Sequence, residues 1–407
     1  MISESVGFVF PNDYHILWSI MIVLYPYITG LVAGAFIVSS FYHVFDKDEF
    51  KPVARFSLAA SFSFLLIAPI PLLVHLGHPE RAFNVLLTPN FSSAMAGFGI
   101  LYSFYLIVLL LEIWLVFRVD IIMYARQSRG VKRFFYKSLA LWTYDISPEA
   151  RKFDHKWITF FAAIGIPSAC GLHGYVGFLF GALKANVWWS TPLMPIIFLF
   201  SAIVSGIAML IVLYQIFMKI KGMSVDRRCL EGMVRWLWLF MIIAVGLEML
   251  EIITLAYERA EEWEIISLLL TTKLSFSFLA IQVIGGSLIP FVILMILVIM
   301  NPYLQDKALN MLSTFASILL LIQVFSMRWN VIIGGQLFSK SLKGFREPYV
   351  PEFWGKEGLG VAILIMLASF IILILFEVIL PIFQPNHNNH AEATGENLSK
   401  PATEKGV

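Results

Sequence analysis

Residues 191–218 read TPLMPIIFLFSAIVSGIAMLIVLYQIFM, without a single Asp, Glu, Lys or Arg. A helix needs about 20 predominantly apolar residues to cross ~30 Å of hydrocarbon, where lipid offers its backbone no hydrogen-bond partner. This segment is therefore predicted to be a transmembrane helix. The composition agrees, because 59% of the 407 residues are hydrophobic and only 14% are charged. These values exclude a water-soluble globular enzyme, a disordered chain and a nucleic-acid-binding protein.

Nine segments of the chain, this one included, are long and apolar enough to be predicted as transmembrane helices. They are 14–45, 52–76, 91–117, 156–183, 191–218, 235–257, 272–300, 307–327 and 358–380. We expect an all-α integral membrane protein with about nine transmembrane helices, in one domain that covers residues 1–383. Residues 384–407 are polar and are predicted to be a disordered cytoplasmic tail. The first 13 residues are acidic and lack a basic region, so they are not expected to be a cleavable signal peptide.

The Lys and Arg residues are distributed unevenly between the two sides of the membrane. If the N-terminus lies outside, 20 of the 29 basic residues fall on the inner side. Because basic loops stay in the cytoplasm, we expect the N-terminus outside and the C-terminus inside. A basic inner loop is predicted at 118–155, resting on anionic lipid or binding a partner. An outer loop at 328–357 is a candidate docking surface.

Metal-binding patterns are scarce in the sequence. Only two cysteines are present, Cys170 and Cys229, and there is no C-x-x-C motif for zinc or an iron–sulfur cluster. Haem b in a helix bundle takes two His from facing helices, and only His75 and His173 lie at comparable depth. One haem is possible in principle, but two stacked bis-His haems cannot be built. We therefore predict no metal site, haem or iron–sulfur cluster in this chain and place any redox metals in partner subunits.

Polar residues within the spans gather at one predicted depth, in the outer leaflet. They lie on five helices and are His75, His173, Glu248, Glu251, Gln282, Gln323 and Arg328. Ionisable groups are costly inside a membrane, so each is a functional hypothesis. A single one would more simply form a hydrogen bond between helices, but seven at one depth predict a pocket that opens near the outer surface.

This pocket has the chemistry that a quinone headgroup needs. Glu248 and Glu251 are three residues apart and share a helix face, which suits proton exchange. His173 can both donate a hydrogen bond and exchange a proton near neutral pH. Trp188 and Trp189 could form the wall of the slot, or they could belong to an interfacial aromatic belt.

Two carboxylates lie in the inner half of the predicted bundle. Glu112 is near the inner end of the third span and Glu377 near that of the ninth. They are candidates for a proton path toward the pocket. The alternative is that both side chains reach toward the inner interface.

Three motifs then stand together in order. They are Leu76-Gly77-His78-Pro79-Glu80-Arg81 after the second span, Thr191-Pro192-Leu193-Met194-Pro195 at the start of the fifth, and Arg328-Trp329-Asn330-Val331 with Gly334-Gly335-Gln336 after the eighth. This set resembles the NrfD/PsrC family of quinone-interacting membrane subunits over nearly the whole chain. The turn that begins at Leu76 is the most specific element. The length is similar to the long branch, with membrane subunits of periplasmic hydrogenases, alternative complex III and sulfur-metabolism complexes.

The resemblance implies two four-helix bundles plus an extra helix, with no redox cofactor of the chain's own. It implies a site for menaquinone or ubiquinone near the periplasmic face of a prokaryotic cytoplasmic membrane. It also implies a ferredoxin-like iron–sulfur subunit on that face, with a molybdopterin, hydrogenase or multihaem cytochrome c protein beyond. His173 is similar to the fourth-span His of the family's proposed pocket, and Glu248 to a carboxylate there. His75 departs from the acidic residue that many members carry at that position.

We therefore expect the quinone-binding subunit of a respiratory electron-transfer complex, which acts as an oxidoreductase only with its partners. His173 would hydrogen-bond the headgroup, Glu248 would exchange a proton and Arg328 would polarise a carbonyl. The surrounding shell is predicted to contain His75, Glu251, Gln282 and Trp189. The alternatives are a proton- or ion-coupled secondary transporter and a passive membrane anchor.

Overall fold

A computed structural model describes residues 15–259, 261–338, 342 and 344–383. Within these residues the only strand-like contact is an isolated bridge between Phe338 and Phe345. Nine helical segments there are long and apolar enough to cross a membrane. The prediction of an all-α integral membrane protein is confirmed. The predicted tail at 384–407 lies outside the described residues.

The helices follow one another with short connections, and two of them contain π-helical turns. In chain order they are α1 Ile20–His43, α2 Lys51–Ile67, α3 Ile70–His75, α4 Asn84–Leu87, α5 Ala94–Gln127, α6 Gly130–Leu139, α7 Pro148–Gly181, α8 Met194–Ile220, α9 Arg227–Glu258, α10 Glu261–Thr271, a long π-helix Phe276–Leu288 that continues as α11 Ile289–Ile299, α12 Asp306–Trp329, a short π-helix Asn330–Gly334, α13 Gly335–Leu337 and α14 Leu359–Ile379.

The spans form two groups of four with one helix added. One group contains α1, α2 with α3, α5 and α7, and the other contains α8, α9, the long π-helix with α11, and α12. The added helix, α14, packs against α2. The groups meet where α1 crosses α8, and a Cβ on Gly206 would overlap the backbone of Gly34. Small residues at such a crossing let two helices approach closely in a membrane.

Several helices extend beyond the predicted spans. The expected inner loop at 118–155 is largely helical, because α5 runs to Gln127, α6 follows, and α7 begins at Pro148. A buried ion pair between Arg118 and Asp154, at 2.8 Å, joins these extensions of α5 and α7. The charged residues that seemed to end the spans are thus satisfied within the protein.

The expected outer loop at 328–357 also begins with helix, which continues to Leu337. Arg328 and Asn330 look like loop residues in the sequence but are buried, and both form hydrogen bonds with other side chains. The remaining part, which we call the covering segment (residues 344–358), folds over the end of the bundle at which α1 begins. There Tyr349 accepts a hydrogen bond from the Ile20 backbone at 3.2 Å. We call this end the N-terminal end of the bundle.

Candidate functional site

A cavity lies near the N-terminal end of the bundle, between α8, α9, α10, the long π-helix and α12. Its lining residues are Trp188, Met194, Ile197, Glu248, Glu251, Ile252, Leu255, Trp263, Ile266, Phe278, Gln282, Met327, Asn330 and Val331. Most of the wall is apolar or aromatic, and four side chains supply carboxylate or amide groups. An apolar cavity with a few placed polar groups is the usual character of a small-molecule site.

Glu248 is held by amide donors from two neighbouring helices. Gln282 donates from Nε2 to Glu248 Oε2 at 2.9 Å, and Gln323 donates to the same carboxylate at 3.3 and 3.4 Å. Asn330 then donates to Gln282 Oε1 at 2.8 Å and accepts a hydrogen bond from Ser277 at 2.6 Å. This chain connects α9, the long π-helix, α12 and the short π-helix. These amide donors fix the position of the Glu248 carboxyl group within the network.

The long π-helix positions the amide side of this network. Its Ser287 hydroxyl donates to the backbone carbonyl oxygen of Gln282 at 2.8 Å, five residues earlier in the chain. Gly286 faces α12 so closely that a Cβ there would overlap the side chain of Gln323. The close approach brings Gln323 within reach of Glu248. π-helical turns are rare and occur frequently at functional sites.

Glu251 lines the same cavity but has different surroundings. It lies three residues after Glu248 on α9, and its Oε1 atom is buried with no hydrogen-bond partner among the described residues. The carboxyl group also lies near the side chain of Thr191. The cavity therefore contains one carboxylate fixed by donors and one with a free oxygen.

Arg328 and His173 form a second buried group beside the cavity. Arg328 Nη2 lies 3.1 Å from His173 Nε2, 2.8 Å from Ser201 Oγ and 3.1 Å from the Phe198 carbonyl oxygen. Its guanidinium group also lies 3.6 Å from the centre of the Phe198 ring. Because Arg can only donate, His173 Nε2 must accept, which places the imidazole proton on Nδ1. That Nδ1 atom has no partner within the described part of the chain.

The structure places the predicted quinone-binding residues in three different surroundings. Glu248 and Gln282 line the cavity, as does Glu251, which we predicted for proton transfer. His173 and Arg328 do not line it. They lie behind its wall, where His173 packs toward α1, so that a Cβ on Gly30 would be 3.3 Å from its Cε1 atom.

His75 and Trp189 lie apart from the cavity. His75 Nδ1 is 2.7 Å from Glu357 in the covering segment, which also accepts a hydrogen bond from Ser19. Trp189 is stacked on Trp18 with ring centres 5.0 Å apart, and its indole nitrogen donates to the Val331 backbone at 2.6 Å. Trp188 is the tryptophan of this pair that lines the cavity. Adjacent side chains point in different directions, and the sequence did not distinguish them.

The two inner carboxylates differ from each other. Glu112 is fully buried, and neither of its oxygens has a hydrogen-bond partner among the residues described. Glu377 instead forms an ion pair with Lys221 and accepts a hydrogen bond from the Ile382 backbone at 2.8 Å. These contacts hold Glu377 at the end of α14, and its role in a proton path stays a prediction.

Most cavity residues had no site role in the sequence analysis, and Asn330 and Trp263 are among them. Asn330 was noted only as part of a motif, and Trp263 lies in a stretch with several Glu residues that we expected to be an outer loop. The spacing of Trp263 and Ile266 on α10, three residues apart, could have indicated a helix with an apolar face.

The fold and the cavity define a polytopic membrane protein with a cavity of mixed polar and apolar lining near one end of the helix bundle. The chain belongs to the NrfD family of polysulphide reductase, whose family model matches residues 9–340. The resemblance inferred from the motifs is thereby confirmed. The last span, α14, lies beyond the matched residues.

Three relatives show what the chain is similar to. A selenate reductase subunit of Mesobacillus selenatarsenatis is 34% identical over 206 residues, 49% of this chain and 48% of the relative. A putative dimethyl sulfoxide reductase membrane subunit of Halobacterium salinarum is 28% identical over 229 residues, 56% and 50% of the two chains. An Hdr-like menaquinol oxidoreductase integral membrane subunit of Archaeoglobus fulgidus is 23% identical over 344 residues, 83% and 73%. The chain spans about half the length of the first two.

Proposed function

We propose that this chain is the quinone-binding membrane subunit of a respiratory reductase complex, in which electrons pass between quinone and an iron–sulfur partner at the N-terminal end. The observation that carries the proposal is the free Glu251 oxygen in the wall of an aromatic-lined cavity. The names of the relatives support it, since they are membrane subunits of reductases and of a menaquinol oxidoreductase. Menaquinone or ubiquinone is the substrate.

The cavity wall matches the parts of a quinone headgroup. Trp188, Trp263 and Phe278 supply flat apolar surface for the ring. The amide of Asn330 and the carboxyl group of Glu251 supply polar atoms for the carbonyl oxygens. A headgroup held between such surfaces loses its water, so hydrogen bonds to its oxygens become stronger.

The two cavity carboxylates have different roles. Reduction of a quinone takes up two electrons from the partner and two protons, and quinol oxidation releases them. Glu251 exchanges a proton with the substrate oxygen because its Oε1 atom has no competing partner. Glu248 is held in place because Gln282 and Gln323 both donate to it. This assignment moves the proton-exchanging role from Glu248, where we first placed it, to Glu251.

Arg328 contributes a buried positive charge beside the cavity, although its side chain does not line it. It is fully buried and has no carboxylate within ion-pair distance among the described residues. Its neighbour Met327 lines the cavity, and Arg328 and Glu248 attract each other across the interior. The buried positive charge therefore favours the Glu248 carboxylate. His173 accepts a hydrogen bond from Arg328 and acts as a positioning residue.

The experiment is Glu251→Gln in the purified complex. Loss of a proton-exchanging carboxylate lowers turnover by roughly 10²-fold or more, so we expect that loss in quinone-linked turnover. Activity of the partner subunits with soluble dyes should be unchanged. The matched control is Glu264→Gln, because Glu264 is an exposed residue of the neighbouring α10 and does not line the cavity. Full quinone-linked turnover in the Glu251 variant would contradict the proposal and favour a passive anchor.

A further inference from the structure

The helix α6 combines exposed aromatic residues with unpaired positive charge. Val131 and Phe134 are 85% and 66% exposed, and Phe135 is also exposed on the same helix face. Lys132 and Arg133 are exposed beside this face. Neither has an acidic partner within ion-pair distance among the described residues. A basic, amphipathic surface helix of this kind is typical of segments that lie in a membrane interface.

Two hydrogen bonds fix the depth of α6 in the bundle. Trp114, which lies 20 residues after Ala94 on α5, donates to the Leu139 backbone at 2.8 Å. Tyr136 donates to the backbone of Ile379, 20 residues after Leu359 on α14, at 2.7 Å. At 1.5 Å per residue, both contacts lie about 30 Å from the N-terminal end. That distance is about one hydrocarbon thickness, so α6 lies at the opposite membrane boundary.

The turn after α6 supports the same placement. Leu141 and Trp142 both have left-handed backbone conformations, with φ of 49° and 55°, and both are 61% exposed. Bulky residues rarely adopt this conformation because it is strained. The strain presents two large apolar side chains outward beside the Phe134 face. Burial of these side chains in lipid would offset that strain, whereas exposure to water would add to the cost.

We propose that α6 and the Leu141-Trp142 turn bind an anionic phospholipid. The exposed aromatic side chains reach the acyl boundary, and Lys132 and Arg133 contact the phosphate. Positive side chains at a membrane surface favour anionic lipids by charge, while the apolar face favours a lipid over a soluble anion. This inference does not depend on the proposed function, because the site lies at the other end of the bundle from the cavity.

The test uses the full chain purified in detergent, with phosphatidylglycerol and phosphatidylcholine added in equal amounts. Native mass spectrometry measures how much of each lipid the protein retains. We expect the wild type to prefer phosphatidylglycerol and the variant Lys132→Gln/Arg133→Gln to retain about tenfold less of it. Arg133→Gln alone should give an intermediate loss, which separates a lost contact from a misfolded protein.

The matched control is Lys47→Gln/Lys51→Gln. These two lysines are exposed at the same end of the bundle, outside α6, and their removal changes the charge equally. The control should retain the wild-type preference, and soluble glycerol phosphate should not displace the lipid. Equal retention of both lipids by the wild type, or equal losses in both double variants, would overturn the proposal. Displacement by glycerol phosphate would identify an anion site instead, and lost assembly with unchanged lipid retention would identify a protein partner.

Discussion

Glu248 and Glu251 lie one helical turn apart in the wall of the same cavity, and their hydrogen bonding is opposite. Glu248 accepts hydrogen bonds from two amide groups, whereas Glu251 Oε1 accepts none within the described structure. Two carboxylates so close together can therefore have different functions. The difference can be measured, because removing a charge has different consequences at the two positions.

Glu248→Gln should destabilise the protein more than Glu251→Gln does. Replacing the Glu248 carboxylate leaves a buried amide donor of Gln282 or Gln323 facing another amide group. An unsatisfied buried donor costs about 1–3 kcal/mol, whereas Glu251 Oε1 has no hydrogen bond to lose. Thermal unfolding in one detergent should show a lower Tm for the Glu248 variant and a nearly unchanged Tm for the Glu251 variant. Equal Tm values for the two variants would contradict the division of roles.

His173 should affect turnover through Arg328. Substitution by Ala removes one of three acceptors of a fully buried guanidinium group, and we expect quinone-linked turnover to fall tenfold or more. Substitution by Gln supplies a new acceptor oxygen and should restore part of the turnover. Steady-state kinetics with quinone, with the dye-linked activity of the partner as control, distinguish the two cases. If Gln fails as completely as Ala does, His173 is in direct contact with the substrate and our assignment as a positioning residue is wrong.

The sequence predicted the spans and several members of one polar network, because both depend on chemistry that a linear pattern records. Long apolar runs identify the spans, and the polar exceptions Glu248, Gln282 and Gln323 do converge on one network. The direction of a side chain around its helix depends on packing, which the pattern does not record. Trp188 and Trp189 are neighbours with different surroundings for this reason.

The sequence also did not predict the local geometry of the helices. The long π-helix changes the angular spacing of Phe278 and Gln282, and nothing in its apolar sequence distinguishes it from an α-helix. Trp263 lies between two predicted spans, in a stretch with several Glu residues, although it lines the cavity. Charge ends a span in lipid but does not end a helix that packs on the protein.

The neighbouring tryptophans provide a matched pair of substitutions. Trp189→Ala removes a buried stacked ring and its hydrogen bond to Val331, and should lower the free energy of unfolding by about 3–5 kcal/mol. Trp188→Ala removes cavity wall and should raise KM for quinone with a smaller change in stability. Thermal unfolding and quinone titrations of both variants check this. The opposite pattern would show that Trp189 contacts the substrate.

The contact between His75 and Glu357 should make the covering segment sensitive to pH. Partial burial raises the pKa of Glu357, but hydrogen bonds from Ser19 and His75 outweigh it, so that this pKa lies below its ordinary value. A lowered carboxyl pKa stabilises the fold above the ordinary pKa, and that stability is lost as the pH falls through the lowered value. The segment should therefore be held at neutral pH and released in acid.

Hydrogen–deuterium exchange of residues 344–358, corrected for the intrinsic effect of pH, measures this release. The wild type should be protected at pH 7 and lose protection in acid. Glu357→Gln should be less protected already at pH 7, with little further change. Glu352→Gln is the matched control, because Glu352 lies in the same segment and has no ion pair among the described residues. A response of the control equal to that of Glu357→Gln would remove the basis of the prediction.

The covering segment should also carry part of the docking surface for the iron–sulfur partner. Trp354 and Val350 are 87% and 79% exposed at the N-terminal end, where the proposed quinone cavity lies. Exposed aromatic residues of this kind are frequent hot spots of protein interfaces. We expect Trp354→Ser to weaken assembly with the partner about tenfold or more, measured by co-purification at increasing dilution.

Trp142→Ser makes the same substitution at the opposite end of the bundle and should leave assembly intact. If Trp142→Ser releases the partner and Trp354→Ser does not, the partner binds at the α6 end. That result would contradict the proposed electron transfer at the N-terminal end.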